Sequence, residues 1–254
     1  MKDIKLTLLS RMRNEALLLP DFLKHIDPFI DEAFFFDDCS EDNTVEILRA
    51  YPKTKEVLRN YFHNPDQSFV QTAQRKMLLE NYRNSKDSGG WFILIEPDER
   101  INFNFDMLEE YDRQNIDMVY FRLFDAYITP EDQKPYEGEK LWNFRKYFGP
   151  EYRNIGFLFR KNAAFYDVAT TNCRQPYVNG KTTVDGLAQH YGKSLSIKQW
   201  EDNCDYYTRS VPALAEKWSA RRGKAIHEVS DFNRPLYTWK QIISKKNFSK
   251  LVEI

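Results

Sequence analysis

The chain has 254 residues, of which 37 are basic and 38 are acidic, so its formal net charge is -1. This balance argues against a nucleic-acid partner, which would need a basic excess or a basic stripe. The three cysteines are scattered and form neither a metal-type spacing nor a disulfide framework, which favours a reducing, cytoplasmic setting.

No stretch approaches the ~20 apolar residues that a membrane-spanning helix needs, so we expect no transmembrane segment. The first residues also lack the apolar region of a secretory signal. Residues 239–254 form a mildly basic tail, which is more typical of a solvated helix face than of a contact with an anionic membrane surface. Peripheral membrane contact stays open as the lesser alternative.

Strands and helices alternate over the first ~125 residues. The predicted elements are a strand at 4–9, a helix around 19–26, a strand at 33–36, a helix around 44–51, a strand at 56–58, a helix at 67–83, a strand at 91–95, a helix at 105–114 and a strand at 117–123. Ser40 is expected to cap the second helix. This order predicts an α/β fold with a doubly wound, mostly parallel sheet and helices on both faces.

The second half of the chain is less regular. Residues 129–151 are polar, aromatic and rich in proline, and we interpret them as a loop or insertion on the substrate side. Their aromatic side chains favour a sugar-stacking wall and a packed loop core about equally. Weaker strands are predicted at 155–159 and 184–190, and helices at 195–207 and 214–222, followed by the tail. We expect these last helices to form a C-terminal extension.

The segment Trp91-Phe92-Ile93-Leu94-Ile95-Glu96-Pro97-Asp98-Glu99 is the most informative part of the sequence. Five apolar residues predict a buried strand, and Pro97 cannot donate to a sheet, so the strand should end there. Three carboxylates then follow at the C-terminal end of the strand, where ligands bind in open α/β sheets. Such carboxylates repel one another unless they share a cation or a proton. A hard divalent cation that bridges to phosphate oxygens would meet this need.

A second acidic pair, Asp37-Asp38, follows another predicted strand. In a parallel sheet, both acidic groups would lie along the same edge, and Arg13 and Arg75 could face the same cleft. This set of side chains suits a nucleoside diphosphate, because the carboxylates can accept from the base or ribose and the arginines can bind phosphate.

Five motifs occur in order: Arg13-Asn14-Glu15, residues 36–44, Gln74-Arg75, residues 91–99 and His190-Tyr191-Gly192. Together they resemble the glycosyltransferases of family 2, strongly over 4–100 and more thinly over 155–210. The resemblance implies a GT-A nucleotide-sugar-binding domain at 1–192, with a nucleotide-sugar-binding half at 1–125 and an acceptor-side half at 126–192, and an extension at 193–254. It implies an inverting, metal-dependent hexosyltransferase of the polysaccharide-biosynthesis type.

The resemblance also implies the partners and the site residues. The donor would be a nucleotide sugar, with uridine diphosphate as the expected nucleotide, and the acceptor would be a glycan or a lipid-linked acceptor. Asp98 would take part in catalysis and, with His190, would hold Mn²⁺ or Mg²⁺. The residues expected to contact the nucleotide sugar are Arg13, Asn14, Glu15, Asp37, Asp38, Arg75, Glu96 and Pro97.

Three positions depart from the family pattern. Glu96 replaces the usual first aspartate of an Asp-x-Asp motif, and Cys39 replaces a glycine, so the loop there is expected to manage without a positive φ. The expected carboxylate of a His-Glu pair is missing from residues 167–173. Asp125, Asp167 and Asp185 are the available aspartates for a general base, and we weakly favour Asp167.

Two other functions are compatible with parts of the sequence. The missing base and the Glu96 departure favour a non-catalytic protein of the same fold that binds nucleotide or glycan. A nucleotidyltransferase would need a glycine-rich loop after the first strand. The sequence Ser10-Arg11-Met12-Arg13 contains no glycine there, which argues against that function.

Overall fold

The computed structural model describes residues 4–62, 67–83, 90–166 and 174–244, with the side chains of 67–69 and 213 left out. The strands are β1 Leu6–Met12, β2 Glu32–Asp38, β3 Thr54–Asn60, β4 Trp91–Leu94, β5 Glu99–Asn102, β6 Ile116–Tyr127, β7 Tyr147–Arg160, β8 Lys181–His190 and β9 Tyr237–Thr238. The helices are α1 Leu19–Ile26, α2 Thr44–Ala50, α3 Gln67–Tyr82, α4 Met107–Arg113, α5 Ile197–Ser210, α6 Ala215–Ser219 and α7 Trp239–Ser244.

The predicted α/β fold is confirmed. Over the described residues, the sheet has nine strands in the order β3-β2-β1-β4-β7-β6-β8-β5, with β9 paired to β7. The first four strands of this order are parallel. β7 is antiparallel to β4 and also to β9. The parallel part therefore coincides with the region in which the sequence alternates most regularly between strand and helix.

The predicted strand and helix patterns have a simple physical origin in the first elements. β2 is buried over its whole length and β4 likewise, as expected for strands covered on both faces. α1 buries Leu19, Phe22, Leu23 and Ile26 at helical spacing, and Pro20 lies in its first turn, where its missing N–H costs nothing.

The contacts divide the chain into two compact units. The first unit comprises Met1–Pro97, Asn102–Phe121 and Asn154–Gly186, and the second comprises Asp98–Ile101, Arg122–Arg153 and Leu187–Ile254. The core of the first unit includes Leu78 and Leu79 of α3 packed with Phe36 and Phe92 of the sheet. The domain boundaries expected at 125 and 192 stay predictions.

Trp239 of α7, which is 6% exposed, lies in a buried aromatic cluster of the second unit. Its ring contacts those of Phe124, Trp142 and Phe148, with centroid distances of 5.3 to 5.8 Å. Trp142 and Phe148 belong to the aromatic stretch for which the sequence left two interpretations open. These contacts favour the packed loop core.

Two local expectations are wrong. Ser40 does not cap α2, because Asn43 is the residue before the helix and makes no side-chain cap hydrogen bond. Ser40 Oγ instead accepts a hydrogen bond from the backbone N–H of Asn14, at 2.8 Å. Glu99 is not a free carboxylate at a strand end, since it opens the unpredicted strand β5 and is fully buried.

The loop after β2 also corrects an expectation. Cys39 adopts a φ of 63°, in the left-handed region, although it carries a side chain. The loop therefore keeps the backbone conformation that a glycine would allow, at a steric cost of roughly 1–2 kcal/mol. Asn14 across from it also has a positive φ, of 54°, which asparagine tolerates well.

Within the described ranges, none of the helices combines the length and the apolar character that crossing a bilayer requires. The tail predicted as an amphipathic helix is described only as far as Ser244, where α7 ends. Residues 245–254 lie outside the described residues.

Replacing Cys39 by glycine should stabilise the protein. Because glycine removes the steric cost of the left-handed conformation, we expect Cys39→Gly to raise the free energy of unfolding by about 1 kcal/mol, less the greater entropy of glycine in the unfolded chain. Urea unfolding measures the change. Cys39→Ala is the matched control, because it removes the thiol but keeps Cβ, and it should give no gain. A stabilisation by alanine equal to that by glycine would contradict this explanation.

Candidate active site

The loop after β1 is held against the loop after β2 by hydrogen bonds from its backbone. The N–H groups of Asn14 and Glu15 donate to Ser40 Oγ and Thr44 Oγ1, both at 2.8 Å. In return, Asn14 Oδ1 accepts from the N–H of Glu41 at 2.8 Å. The two motifs that the sequence assigned to nucleotide binding therefore fix each other's conformation.

Asp38 is a buried carboxylate satisfied from three different elements. Its oxygens accept from Arg11 at 2.6 Å, from Gln74 of α3 at 2.8 Å and from Asn60 of β3 at 2.9 Å. Burial opposes its ionisation, but the hydrogen bond from Asn60 and the charge of Arg11 outweigh this and lower the pKa of Asp38 below its ordinary value of 3.8. Asp38 thus ties β1, β3 and α3 together.

Asp37 is equally buried and is also paired within the protein. Arg59 Nε lies 3.1 Å from its Oδ2, and the backbone N–H of Ser40 donates to the carboxylate at 3.2 Å. Both aspartates are therefore engaged by the protein itself. Their expected contact with a base or ribose stays a prediction.

Arg75 and Glu96 form an ion pair at a cleft of the first unit. Arg75 Nη2 donates to Glu96 Oε1, and it also approaches Gln71 Oε1 at 3.3 Å. The cleft is lined by Arg75, Leu94, Glu96, Ile155, Gly156, Arg174 and Gln175. Burial opposes ionisation of Glu96, but the positive charges of Arg75 and Arg174 lower the pKa of its carboxyl well below the ordinary range. Two guanidinium groups and one carboxylate thus line this cleft.

In the second unit, Asp98 faces His190. Asp98 Oδ2 lies 3.3 Å from His190 Nε2, and the carbonyl of Asp98 accepts from the N–H of Tyr191 at 2.9 Å. The other oxygen, Asp98 Oδ1, is buried without a hydrogen-bond partner in the described part of the chain. A carboxylate oxygen in this state is unusual, because buried polar atoms are nearly always paired.

Gly192 has no side chain, which lets Asp98 and His190 lie close to its backbone. A Cβ at position 192 would lie 2.6 Å from Asp98 Oδ2 and 2.8 Å from His190 Nε2, which is too close for a carbon atom. The unpaired oxygen and the imidazole nitrogen, close together beside a residue without a side chain, are donors that fit a divalent cation. Within the described ranges, no three His, Cys, Asp or Glu side chains are grouped as a metal cluster, so water or a ligand would complete the coordination.

The other ring nitrogen of His190 contacts a second carboxylate. Nδ1 lies 2.6 Å from Asp125 Oδ1, while Asp125 Oδ2 accepts from Lys193 Nζ at 2.7 Å. Burial opposes the charged imidazolium, but the charges of Asp98 and Asp125 raise the pKa of His190 to about 9. Lys193 likewise lowers the pKa of Asp125 well below its ordinary range, against the effect of burial.

The structure does not test the roles predicted for the site residues, but it gives their positions. Arg75 and Glu96 lie together, and so do Asp98 and His190. The buried Nε of Arg13 has no hydrogen-bond partner in the described part of the chain. Pro97 is buried directly before Asp98.

Of the three aspartates considered as general base, Asp167 lies outside the described residues. Asp125 has both oxygens engaged, and Asp185 accepts a hydrogen bond from Tyr111. The sequence analysis missed Arg11, Arg59, Arg174, Lys193 and Asp231, whose partners come from distant parts of the chain. Of these residues, Arg11 is the one that the sequence could have suggested, because it is a basic residue two positions before the Arg13-Asn14-Glu15 motif.

No family model matches the chain, and no curated protein matches it. Among solved structures, it is similar to glucosyl-3-phosphoglycerate synthase from Mycobacterium tuberculosis, in complex with Mn²⁺, uridine-diphosphate-glucose and phosphoglyceric acid. The identity is 16%, the TM-score is 0.32, and the match covers 48% of this chain and 44% of that one. It is also similar to GalNAc-T7 with UDP, GalNAc and Mn²⁺, at 11% identity and a TM-score of 0.45, covering 97% of this chain and 57% of that one.

A third similar structure is 4-diphosphocytidyl-2C-methyl-D-erythritol synthase, at 10% identity and a TM-score of 0.36, with 72% of this chain and 89% of that one covered. The chain thus spans about half the length of each of the first two proteins. At such scores and identities, these likenesses carry no argument about activity, substrate or metal.

The Asp38 network predicts a pH-dependent stability. Because the pKa of Asp38 is lower in the folded than in the unfolded chain, its stabilisation is present above about pH 4 and is lost as the pH falls through the folded pKa. Asp38→Asn should therefore lower the free energy of unfolding by about 2 kcal/mol at pH 7. The difference from wild type should shrink steadily below about pH 4. Urea titrations at pH 7, 4 and 3 check this, and a difference that stays constant with pH would rule it out.

Alanine at position 192 should impair metal binding without unfolding the protein. The atoms that its Cβ would meet are side-chain ends, which can move, and the φ of Gly192 is not in the left-handed region. We expect Gly192→Ala to weaken Mn²⁺ binding by at least about tenfold, which corresponds to 1.4 kcal/mol. Calorimetric titration with Mn²⁺ and thermal unfolding measure the two effects. Wild-type Mn²⁺ affinity in a folded variant would show that the space beside Asp98 is not a cation site.

Proposed function

We propose that this chain is a glycosyltransferase that moves a sugar from a nucleoside-diphosphate sugar to a hydroxyl group of an acceptor. The observation that carries the proposal is the Asp98–His190 pair, with its unpaired buried oxygen and its close approach to Gly192. The resemblance of the sequence motifs to family 2 supports an inverting reaction, a uridine diphosphate donor and a glycan or lipid-linked acceptor.

Asp98 and His190 are the residues that would hold Mn²⁺ or Mg²⁺. A bound cation at this position would neutralise the charge that develops on the leaving diphosphate. Asp98 contributes carboxylate oxygens and His190 contributes Nε2, while Asp125 engages the opposite side of the imidazole ring at 2.6 Å. This carboxylate–histidine arrangement is the usual outer support of a metal-binding histidine.

The first unit supplies groups that suit the anionic donor. Arg75 and Arg174 line a cleft together with Glu96, and their positive charges lower the pKa of its carboxyl. Arginine is the residue best suited to phosphate oxygens, because its guanidinium group donates two parallel hydrogen bonds. The unpaired Nε of Arg13 is a further donor of this unit. Asp37 and Asp38 contribute indirectly, because they hold the loops that carry Arg13 to Glu15.

An inverting transfer needs a base within hydrogen-bond reach of the acceptor hydroxyl. Asp125 is a poor candidate, because Lys193 and His190 occupy both of its oxygens. Asp167 stays our proposed base, supported by its position in the stretch where relatives of the family carry a carboxylate. Loss of turnover in Asp167→Asn with unchanged donor binding would be consistent with this role, whereas wild-type turnover would exclude it.

The proposal predicts metal-dependent donor binding. Wild type should bind a uridine diphosphate sugar in the presence of Mn²⁺ and hydrolyse it slowly to free sugar and uridine diphosphate. Asp98→Asn should weaken the Mn²⁺-dependent binding by at least about tenfold. Calorimetry with a panel of nucleotide sugars, and release of nucleoside diphosphate over time, measure both properties.

Asp106→Asn is the matched control, because Asp106 is an exposed aspartate at the start of α4 whose side chain makes no cap hydrogen bond. It should behave as wild type. Binding without any hydrolysis or transfer would favour the non-catalytic alternative. Failure to bind any nucleotide sugar, with or without Mn²⁺, would refute the proposed function.

A further inference from the structure

His190 lies in the middle of a row of charged side chains within the second unit. Starting from the C-terminal segment, Asp231 Oδ2 lies 2.5 Å from Lys193 Nζ, and Lys193 Nζ lies 2.7 Å from Asp125 Oδ2. Asp125 Oδ1 lies 2.6 Å from His190 Nδ1, and His190 Nε2 faces Asp98 at 3.3 Å. The two oxygens of Asp125 are thus divided between the lysine and the histidine.

This division determines which ring nitrogen of His190 donates to Asp125 and which one faces Asp98. Asp125 is 3% exposed, and a carboxylate so deeply buried needs a cationic partner, which Lys193 provides. An ionised carboxylate can only accept hydrogen bonds, so Nδ1 of His190 must be the donor in their contact. Because Asp125 retains the proton on Nδ1, Nε2 is the nitrogen whose lone pair would be available to a cation beside Asp98. Lys193 therefore acts on His190 through Asp125.

Asp231 holds the lysine in place. The four-carbon stem of a lysine is flexible, and its ammonium group needs several partners to stay fixed. Besides Asp125 and Asp231, the ammonium group of Lys193 lies 4.7 Å from the ring centroid of Tyr127. Asp231 is itself fixed, since its Oδ2 accepts from Arg221 at 2.9 Å and its backbone N–H donates to the hydroxyl of Tyr127 at 3.1 Å.

We infer that Lys193 and Asp231 are positioning residues for His190. The segment between α6 and β9, which carries Asp231, thereby contributes to metal binding. This inference rests on the proposed function, because it assigns these residues a role towards the cation that Asp98 and His190 would hold. Neither residue touches the cation or the substrate. Their effect is to hold the carboxylate of Asp125 in register with Nδ1, so that Nε2 points to the metal position.

A purely structural role for the same contacts is the alternative to exclude. In that case, Asp231 and Lys193 would only anchor the C-terminal segment, and their loss would lower the stability without changing the metal affinity of the folded protein. The positioning role predicts a change in Mn²⁺ affinity that a conservative replacement of Lys193 partly restores. Affinity and stability must therefore be measured on the same variants.

Calorimetry measures the Mn²⁺ dissociation constants of the wild-type chain and of Lys193→Met, Lys193→Arg and Asp231→Asn. Thermal unfolding of the same four proteins measures their stability. Because outer partners of metal ligands typically contribute 10- to 100-fold in affinity, we expect Lys193→Met to weaken Mn²⁺ binding by about that factor. Lys193→Arg keeps the charge and should recover part of the loss. Asp231→Asn should weaken binding in the same direction but by less.

Asp205→Asn is the matched control. Asp205 pairs with Arg222 at 2.5 Å, also within the second unit, and this pair is separate from the row of residues that runs from Asp231 to Asp98. It should bind Mn²⁺ as wild type does. Lys193→Met leaves Asp125 buried without its cation and could fail to fold, in which case Asp231→Asn decides the question.

The failures of the two proposals are distinguishable. If folded Asp231→Asn and Lys193→Met bind Mn²⁺ with wild-type affinity, the positioning role is wrong and the proposed function is unaffected. If Lys193→Arg shows the same loss as Lys193→Met, charge is not what the site requires, and the role through Asp125 is also wrong. If wild type binds no Mn²⁺, both the proposed function and this inference are overturned.

Discussion

The burial of carboxylates is the constraint on which the rest of this structure depends. A buried carboxylate is costly unless a cation or several hydrogen-bond donors compensate it. Asp37, Asp38, Glu96 and Asp125 are each compensated by at least one basic residue. Asp98 differs, because one of its oxygens is buried with no partner in the described part of the chain, and the other faces a histidine. This difference, rather than the number of acidic residues, singles out Asp98 as the candidate for a divalent cation.

The same constraint explains how the first unit is built. Asp38 draws donors from β1, β3 and α3, so that one carboxylate links elements that are far apart in sequence. The loops after β1 and β2 then close on each other through Asn14, Ser40 and Thr44. Cys39 adopts the left-handed backbone conformation within this loop, with a φ of 63°. Several residues of the 36–44 motif, which the sequence assigned to ligand binding, are thus needed to hold the fold together.

The sequence predicted the regular part of the fold well, because its signals are local. Continuous apolar runs identified β2 and β4, and the 3.6-residue spacing of Leu19, Phe22 and Ile26 identified α1. β5 was missed, since four residues that follow directly on Pro97 and Asp98 show no periodicity of their own. The sequence also could not reveal that Asp37 and Asp38 are satisfied internally. Their partners Arg59, Asn60 and Gln74 are recognisable only once the sheet and α3 are assembled.

For the candidate site, the sequence pointed to Arg75, Glu96, Asp98 and His190, whose roles stay predictions, but it gave no sign of the residues that support the histidine. Lys193 follows β8 without a motif of its own, and Asp231 lies in an irregular segment where no spacing indicates a contact with Lys193. Such contacts depend on tertiary structure and leave no local pattern. Glu96 also has a clearer meaning in the structure, where it pairs with Arg75 at the cleft of the first unit.

The central claim is that Asp98 and His190 together hold a divalent cation. Pulsed electron paramagnetic resonance of the Mn²⁺-loaded protein tests it most directly, because a nitrogen bound to Mn²⁺ produces a hyperfine coupling that water and carboxylate ligands do not. The account predicts the coupling of a single histidine nitrogen in wild type and its loss in His190→Gln. A Mn²⁺ complex without nitrogen coupling, or one whose coupling survives in His190→Gln, would contradict it.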